Sequence, residues 1–160
     1  MTKASLRTEL LALLETALAA ARAAHAAAIE GATHAEAKPE NDKDTRGLEQ
    51  SYLARGVAQR VVELEAALAD VTRLELRTFG ADAPVALSAL VTAMEGGAER
   101  RFFLAPAGGG SELAGGVQVL TTSSPLGRAL LGKRIDDEVE VKLPGTKGEK
   151  TRALVIIGIS

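Results

Sequence analysis

The chain has 160 residues, of which 46% are hydrophobic, 2% are aromatic and 25% are charged, and its formal net charge is −2. So few aromatic rings argue against base stacking as the main activity, and the negative charge argues against the basic footprint of a DNA-wrapping protein. The chain has no cysteine, which excludes disulfides, thiolate nucleophiles and cysteine-ligated zinc. Its 2 histidines exclude a multi-histidine metal site within one chain.

The composition changes near residue 80. Only 4 of the 16 glycines and 1 of the 5 prolines precede residue 81. A glycine-poor, alanine-rich segment favours helix, whereas glycine, proline, valine and isoleucine favour turns and strands. We therefore predict an α+β protein with a helical part over 1–76 and a small strand-containing domain over 77–160.

The N-terminus imitates a signal peptide, because two basic residues precede an apolar stretch. Glu9 and Glu15 interrupt that stretch, which a secretory segment avoids. Arg22 and His25 lie within 10–29 and argue against a membrane span. We therefore expect an amphipathic helix in a cytoplasmic protein with no membrane partner.

A first helix is predicted from about Ser5 to Ile29. Its apolar residues recur at alternating spacings of 4 and 3, which is the heptad pattern of a coiled coil. The predicted seam becomes almost pure alanine towards its end, so a partner helix can approach closely there. The seam consists of Leu6, Leu10, Leu13, Ala17, Ala20, Ala24 and Ala27.

A second helix is predicted from about Thr45 to Val71. Its apolar spacings include two consecutive steps of 4 around Gly56, which predict a stutter. Pro39 and several turn-forming residues separate the two helices, and such a short connection favours antiparallel packing. The seam consists of Leu53, Val57, Val61, Leu64, Leu68 and Val71. A hairpin used only for dimerisation or spacing is the alternative interpretation.

The connection between the helices, near 31–46, is acidic. Glu36, Glu40, Asp42 and Asp44 bring several carboxylates into one turn. Carboxylate oxygens are ligands for hard cations such as Mg²⁺, which needs only one or two protein carboxylates. The turn could therefore complete a metal site formed mainly elsewhere. The alternative is that these charges only keep the turn solvated.

The C-terminal part alternates apolar runs with glycine and proline clusters, which is typical of strands. One short helix interrupts them at 124–132, with Ser124 as its cap, Pro125 at its first position and Gly132 at its end. We expect Leu126, Leu130 and Leu131 to pack against the sheet. Strands are predicted at 73–79, 85–91, 101–105, 117–120, 138–143 and 153–159.

The glycine-rich stretch at 108–116 invites comparison with a phosphate-binding loop. It lacks the Gly-Lys-Ser/Thr ending and no clear helix follows it, so we interpret it as a flexible loop. No set of nucleophile, base and orienting residue can be assembled, because both histidines lie in or near the helical part.

The order of these features resembles a known family. The segment Ser-Pro-Leu-Gly-Arg-Ala-Leu-Leu-Gly-Lys at 124–133 is followed by Asp-Asp-Glu-Val-Glu-Val at 136–141 and Leu-Pro-Gly at 143–145. With an acidic coiled-coil hairpin before it, this combination resembles the bacterial Gre transcription factors. Pro39-Glu-Asn41 is similar to the acidic element in the turn of that family.

The resemblance implies a mechanism. In this family the C-terminal domain, FKBP-like in fold, docks on the rim of the RNA polymerase secondary channel, and the coiled coil enters the channel. Carboxylates of the turn help to hold Mg²⁺ at the polymerase active site, beside the RNA 3′ end, so that the polymerase cleaves backtracked RNA. The resemblance therefore implies a cytoplasmic transcription elongation and transcript-cleavage factor, expected to be monomeric, that is not an enzyme by itself.

The resemblance also assigns site residues. Glu40 and Asp42 are the best candidates for the catalytic, metal-holding pair, and Asp44 and Glu36 are further metal-ligand candidates. Ala37 stands where the family carries an aspartate, so the second carboxylate would come from Glu36 or Asp42. The residues expected to dock on the polymerase are Ser124, Pro125, Leu126, Gly127 and Arg128.

Three alternatives stay open. The first is a secondary-channel regulator or inhibitor of RNA polymerase without cleavage activity, because related factors with extra acidic residues in the turn inhibit the enzyme. The second is a prolyl isomerase or chaperone, against which the scarcity of pocket-lining aromatics argues. The third is a coiled-coil scaffold with no role at the polymerase.

Overall fold

The computed structural model describes residues 1–37 and 46–160, with the side chains of 1–31, 48–49 and 51–160. Two long helices, α1 and α2, precede a six-stranded sheet with one short helix, α3, which confirms the predicted α+β class. The elements are α1 Lys3–Ala37, α2 Arg46–Thr72, β1 Leu90–Glu95, β2 Ala98–Ala105, β3 Glu112–Leu113, β4 Val117–Thr121, α3 Pro125–Leu130, β5 Glu138–Gly145 and β6 Gly148–Ile159.

The chain forms two compact units. One contains residues 12–69, and the other contains residues 1–11 together with 70–160. We call them the hairpin unit and the sheet unit. The start of α1 therefore belongs to the sheet unit, although it is continuous in sequence with the hairpin.

The two helices of the hairpin unit run antiparallel. The guanidinium of Arg22 on α1 lies 3.0 Å from the carboxylate of Glu65 on α2, so these two residues are at the same level. In a parallel arrangement the end of α1 and the start of α2 would be about 50 Å apart at 1.5 Å per residue. The chain between Ala37 and Arg46 can span only roughly 30 Å. The predicted antiparallel packing follows.

The buried face of α1 differs from the predicted seam beyond Leu10. Leu14 and Leu18 are each 7% exposed, whereas Leu13 is 43% exposed. Leucines at 13 and 14 make two registers equally apolar, and the structure uses the one with steps of four. The assignment of Leu13 was therefore wrong, and Ala20, Ala24 and Ala27 are also exposed.

The stutter predicted in α2 is wrong for a similar reason. Leu53 is 54% exposed, and Ala54 beside it is half-buried instead. From Ala54 the buried and half-buried positions continue through Val57 and Val61 to Leu64 in steps of three and four. The helix continues through Gly56 without interruption.

The sheet has the order β3-β4-β2-β1-β6-β5. β2 and β4 are parallel, and the other neighbours are antiparallel. One face packs against α3 and holds the main core, with Phe102 1% exposed and Ile156 fully buried. The predicted strands at 101–105, 117–120, 138–143 and 153–159 lie within β2, β4, β5 and β6.

The predicted strand at 73–79 is absent from the described chain, and the one predicted at 85–91 is mostly replaced by other backbone conformations. Residues 73–79 are not in a strand, and side chains bind part of their backbone: Arg7 donates to the carbonyl of Leu74 at 3.0 Å, and the amide of Arg77 donates to the Ser88 hydroxyl at 2.9 Å. In 85–91 only the last two residues are in β1, because Ser88 has a positive φ of 72° that breaks the extended conformation.

The start of α1 packs into the sheet unit. Leu6 is 1% exposed and Leu10 is fully buried. The carboxylate of Glu9 accepts a hydrogen bond from the amide of Ala114 at 3.0 Å, and the ammonium of Lys3 lies 4.7 Å from the ring centre of Phe79. The first residues of α1 thus act as a structural element of the sheet unit.

Within the described chain, one helical stretch, Lys3–Gly31, is long and apolar enough to cross a membrane, with a mean hydropathy of 1.3. This differs from the expectation that Arg22 and His25 would exclude it. Length and composition alone are weak evidence, because Leu6, Leu10 and Leu14 of the same helix are buried inside the protein.

Candidate functional site

The helix α3 begins at a closed hydrogen-bonded cap. The Ser124 hydroxyl accepts from the amide of Gly127 at 3.1 Å and donates to the carbonyl of Thr121 at 2.8 Å. Pro125 follows at the first helical position, where its missing N–H costs nothing. The structure confirms the predicted helix and its cap.

Gly127 is required by the same turn. A Cβ at this position would overlap the carbonyl oxygen of Thr121 and lie 2.8 Å from the Ser124 hydroxyl. The backbone of α3 therefore approaches the end of β4 too closely for any other residue. The Ser-Pro-Leu-Gly sequence at 124–127 is explained locally by this packing.

The five residues expected to dock on the polymerase are not equally accessible. Leu126 is 4% exposed, Gly127 is buried and Ser124 is half-buried and engaged in the cap. Pro125 and Arg128 are exposed. A partner can therefore reach Pro125 and Arg128 directly, whereas the other three shape the helix.

Leu131 was expected to pack against the sheet, and this is wrong. It is 37% exposed, because it ends α3 with φ −54° and ψ 130° and so leaves the helical path that buries Leu126 and Leu130. Sequence reasoning missed Leu131 as an accessible residue. The leucine repeat at 130–131 gives a hint, since two adjacent leucines cannot both face the sheet from one helix turn.

Basic residues follow α3. Lys133 and Arg134 are exposed, and the amide of Arg134 donates to the Asp137 carboxylate at 2.7 Å. The carbonyl of Lys133 accepts from the amide of Val85 at 2.7 Å, which ties this loop to the sheet unit. We call the exposed residues of this segment the α3 surface; they are Pro125, Arg128, Leu131, Lys133 and Arg134.

The acidic candidates lie near the end of α1 or between α1 and α2 in the sequence. Glu40, Asp42 and Asp44 lie outside the described residues, and so does the side chain of Glu36. Because α1 ends at Ala37 and α2 begins at Arg46, the first three belong to the connection between the antiparallel helices. Among the side chains that the structure describes, no group of three or more His, Cys, Asp or Glu residues could hold a metal ion.

The sheet unit contains a mostly buried ion pair between Glu95 and Arg152, which sequence reasoning missed. Arg152 donates to both carboxylate oxygens of Glu95 at 2.6 and 2.8 Å, and its guanidinium lies 5.9 Å from the ring centre of Phe102. The hydrogen bond from Arg152 lowers the pKa of Glu95 from its usual value, and the same bond raises the pKa of Arg152. The two residues come from strands β1 and β6 that are far apart in sequence.

Most of the sheet unit, including α3, matches a known family model. Residues 85–157 match the family model described as "Transcription elongation factor, GreA/GreB, C-term". This part of the chain is therefore similar to the C-terminal domain of the GreA/GreB transcription elongation factors. No curated protein sequence matches the chain.

Several solved structures are similar to the chain at low identity. The GreA factor homologue 1 (Gfh1) of Thermus thermophilus is 20% identical, with 94% of each chain covered and a TM-score of 0.38. Gfh1 of Thermus aquaticus is 20% identical, with 91% of this chain and 90% of that chain covered and a TM-score of 0.40. A GreA/GreB elongation factor from Nitrosomonas europaea is 19% identical, covering 70% of this chain and 91% of its own, with a TM-score of 0.37.

Proposed function

We propose that the protein binds the rim of the RNA polymerase secondary channel, inserts its hairpin into the channel and stimulates Mg²⁺-dependent cleavage of backtracked RNA. The polymerase supplies the nuclease activity, so the factor is an accessory protein, and it acts there in the cytoplasm as a single chain. The observation that carries the proposal is the family match over 85–157, which contains the whole α3 surface.

Docking is proposed to occur through the α3 surface. Pro125 and Leu131 offer exposed apolar groups, while Arg128, Lys133 and Arg134 offer positive charge. Such a mixed surface suits a partner with apolar and acidic side chains, and charge complementarity would raise the association rate. The closed cap of Ser124 and the close approach at Gly127 hold this surface rigid before binding.

In the sequence, the acidic residues lie near the end of α1 or between α1 and α2, well before the α3 surface. Glu40 and Asp42 are proposed to share a Mg²⁺ with the polymerase active site beside the RNA 3′ end, with Asp44 and Glu36 as further candidates. Carboxylate oxygens suit Mg²⁺, which would polarise the phosphate and activate water for phosphodiester hydrolysis. The role of this chain is to supply the oxygens.

The direct test is a cleavage assay on a stalled, backtracked polymerase complex. Adding the factor with Mg²⁺ should shorten the RNA from its 3′ end, and E40A/D42A should abolish the effect while leaving polymerase binding unchanged. Glu15→Ala removes an exposed acidic side chain from α1 and should leave both polymerase binding and RNA cleavage unchanged. RNA of unchanged length with bound wild-type factor would refute the cleavage proposal.

In a second candidate function, the protein docks on RNA polymerase but does not stimulate RNA cleavage. Ala37 stands where the resemblance expects an aspartate, and this departure favours a channel factor that regulates or inhibits the polymerase. Wild-type factor that co-purifies with the polymerase and slows elongation, without shortening backtracked RNA, would establish this alternative. Failure to co-purify at all would refute both.

A further inference from the structure

Strand β5 forms one edge of the sheet, and within the described chain no other strand pairs with its outer side. Its register with β6 ends in the pair Gly145–Gly148, and the amide of Ile156 donates to the carbonyl of Asp137. Antiparallel hydrogen-bonded pairs recur every second residue, so the odd-numbered residues of β5 bond to β6. The amides and carbonyls of Glu138, Glu140 and Lys142 therefore point away from the sheet.

Nothing in the described part of the chain covers these groups. Glu138, Glu140 and Lys142 are exposed, and no described element outside the sheet hydrogen-bonds to their backbone. An edge of this kind is a template for another strand, which most proteins block with charge or proline. Pro144 lacks an N–H and so limits any pairing to the residues before it.

The charges on this edge complement themselves. In an antiparallel pair with its two-fold axis at Val141, each Glu140 lies directly opposite Lys142 of the second copy. The neighbouring registers instead place Glu140 opposite Glu140, or Lys142 opposite Lys142, and like charges directly opposite each other are unfavourable. The register centred on Val141 avoids both repulsions. In it, Glu140 of one copy and Lys142 of the other also exchange backbone hydrogen bonds.

The side chains on both faces fit the same register. Val139 and Val141 are 3% and 6% exposed on the core face, so Val141 would meet its symmetry mate and Val139 would face the half-buried Leu143. On the opposite face, an open pocket of about 590 Å³ is lined by Glu138, Glu140 and exposed Val155. Lys142 of a second copy would bring a positive charge to the rim of this pocket.

We propose that the free protein forms a two-fold dimer by antiparallel pairing of the β5 edges, centred on Val141. The two six-stranded sheets then become one continuous sheet, with backbone hydrogen bonds supplying the contact and the Glu140–Lys142 pairs fixing the register. This replaces the monomer expected from the sequence for the protein in the absence of polymerase. It does not depend on any activity at the polymerase.

The test is sedimentation equilibrium of the full chain over a wide concentration range. Wild type should show a concentration-dependent dimer, and Lys142→Glu should raise the dimer Kd by about tenfold or more, because it places like charges opposite each other twice. Lys150→Glu makes the same charge change on β6, where the side chain lies on the other face, and should leave the dimer intact.

Two further variants make the result specific to this edge. E140K/K142E exchanges the charges and should restore the wild-type Kd. Glu140→Pro removes an amide that points away from β6 and should give a monomer whose sheet is retained in far-ultraviolet circular dichroism. A wild-type chain that is monomeric throughout, or a K142E dimer as stable as that of K150E, would overturn the proposal.

Discussion

Residues 3–11 of α1 and the rest of the same helix are stabilised in different ways. In the sheet unit, Leu6 and Leu10 are almost completely buried, and Glu9 accepts a backbone hydrogen bond from Ala114. In the hairpin unit Leu14 and Leu18 are still buried, but beyond them the buried residue among the described side chains of α1 is the small Ala28, and the arginine of the Arg22–Glu65 ion pair is more than half exposed. Exposed ion pairs contribute little. One continuous helix thus combines a firmly packed start with a thin, weakly packed extension.

The largest expected effect tests the packed start. Leu10→Ala should lower the free energy of unfolding by about 2–5 kcal/mol, because it removes a fully buried side chain that contacts Gly108 and leaves a cavity. Leu13→Ala is the matched control, since Leu13 is 43% exposed and should cost much less. Urea unfolding followed by circular dichroism measures both. Equal losses would contradict the burial of Leu10 and the exposure of Leu13.

The register of α1 is also where sequence reasoning failed. Leu13 and Leu14 are both apolar, so periodicity alone could not decide which one faces the partner helix. The alternation of 73–79 similarly predicted a strand, but Arg7 and Ser88 supply partners for its backbone, and these contacts join residues far apart in sequence. Local signals were sufficient for α3, where Ser124, Pro125 and Gly127 act on one another within four residues.

In the candidate site, too, features that depend on neighbouring residues were predictable and features that depend on distant contacts were not. The position of α3 was predictable because its cap is local, whereas the exposure of Leu131 depends on the turn that follows it. The pairing of Glu95 with Arg152 could not be predicted, because strand order brings β1 beside β6. The roles of Glu36, Glu40, Asp42 and Asp44 stay predictions that rest on the resemblance.

The second prediction concerns the rigidity of the sheet unit at α3. Gly127→Ala should cost about 1–3 kcal/mol of unfolding free energy, since the added Cβ meets the Thr121 carbonyl and the backbone must move. Polymerase binding should weaken with it, because the α3 surface moves. Gly132→Ala serves as a comparison: it has open space around it but a positive φ of 78°, so any loss there reports backbone strain alone. A folded, fully binding G127A variant would contradict the structural role of Gly127.

The third prediction uses pH to isolate one contact of the sheet unit. Arg152→Met should cost about 1–2 kcal/mol at neutral pH, because a mostly buried charged hydrogen bond to Glu95 is lost. The pKa of Glu95 is lowered in the folded protein, so the stabilisation is complete above the unfolded pKa of about 4.3 and is lost as the pH falls through the lowered folded value. The stability difference between wild type and R152M should therefore shrink on acidification. Arg100→Gln, which alters a more exposed cation near Glu95, should show a smaller difference at every pH.

The smallest effect tests the hairpin unit and has the opposite sign. Gly56 lies inside α2 with no atom near the position of an added Cβ, so Gly56→Ala should stabilise the helix by about 1 kcal/mol or less. Because the hairpin unit is the weakly packed one, the gain should appear as slower amide hydrogen exchange in 50–62, with little change in the exchange of β1 or β6. If exchange slows equally in the sheet, the two units unfold together. The weaker packing of the hairpin part of α1 then does not let the hairpin unit unfold separately. If exchange slows only in α2, the hairpin unit unfolds separately from the sheet unit. The frequency of that local unfolding then depends on helix propensity more than on buried contacts.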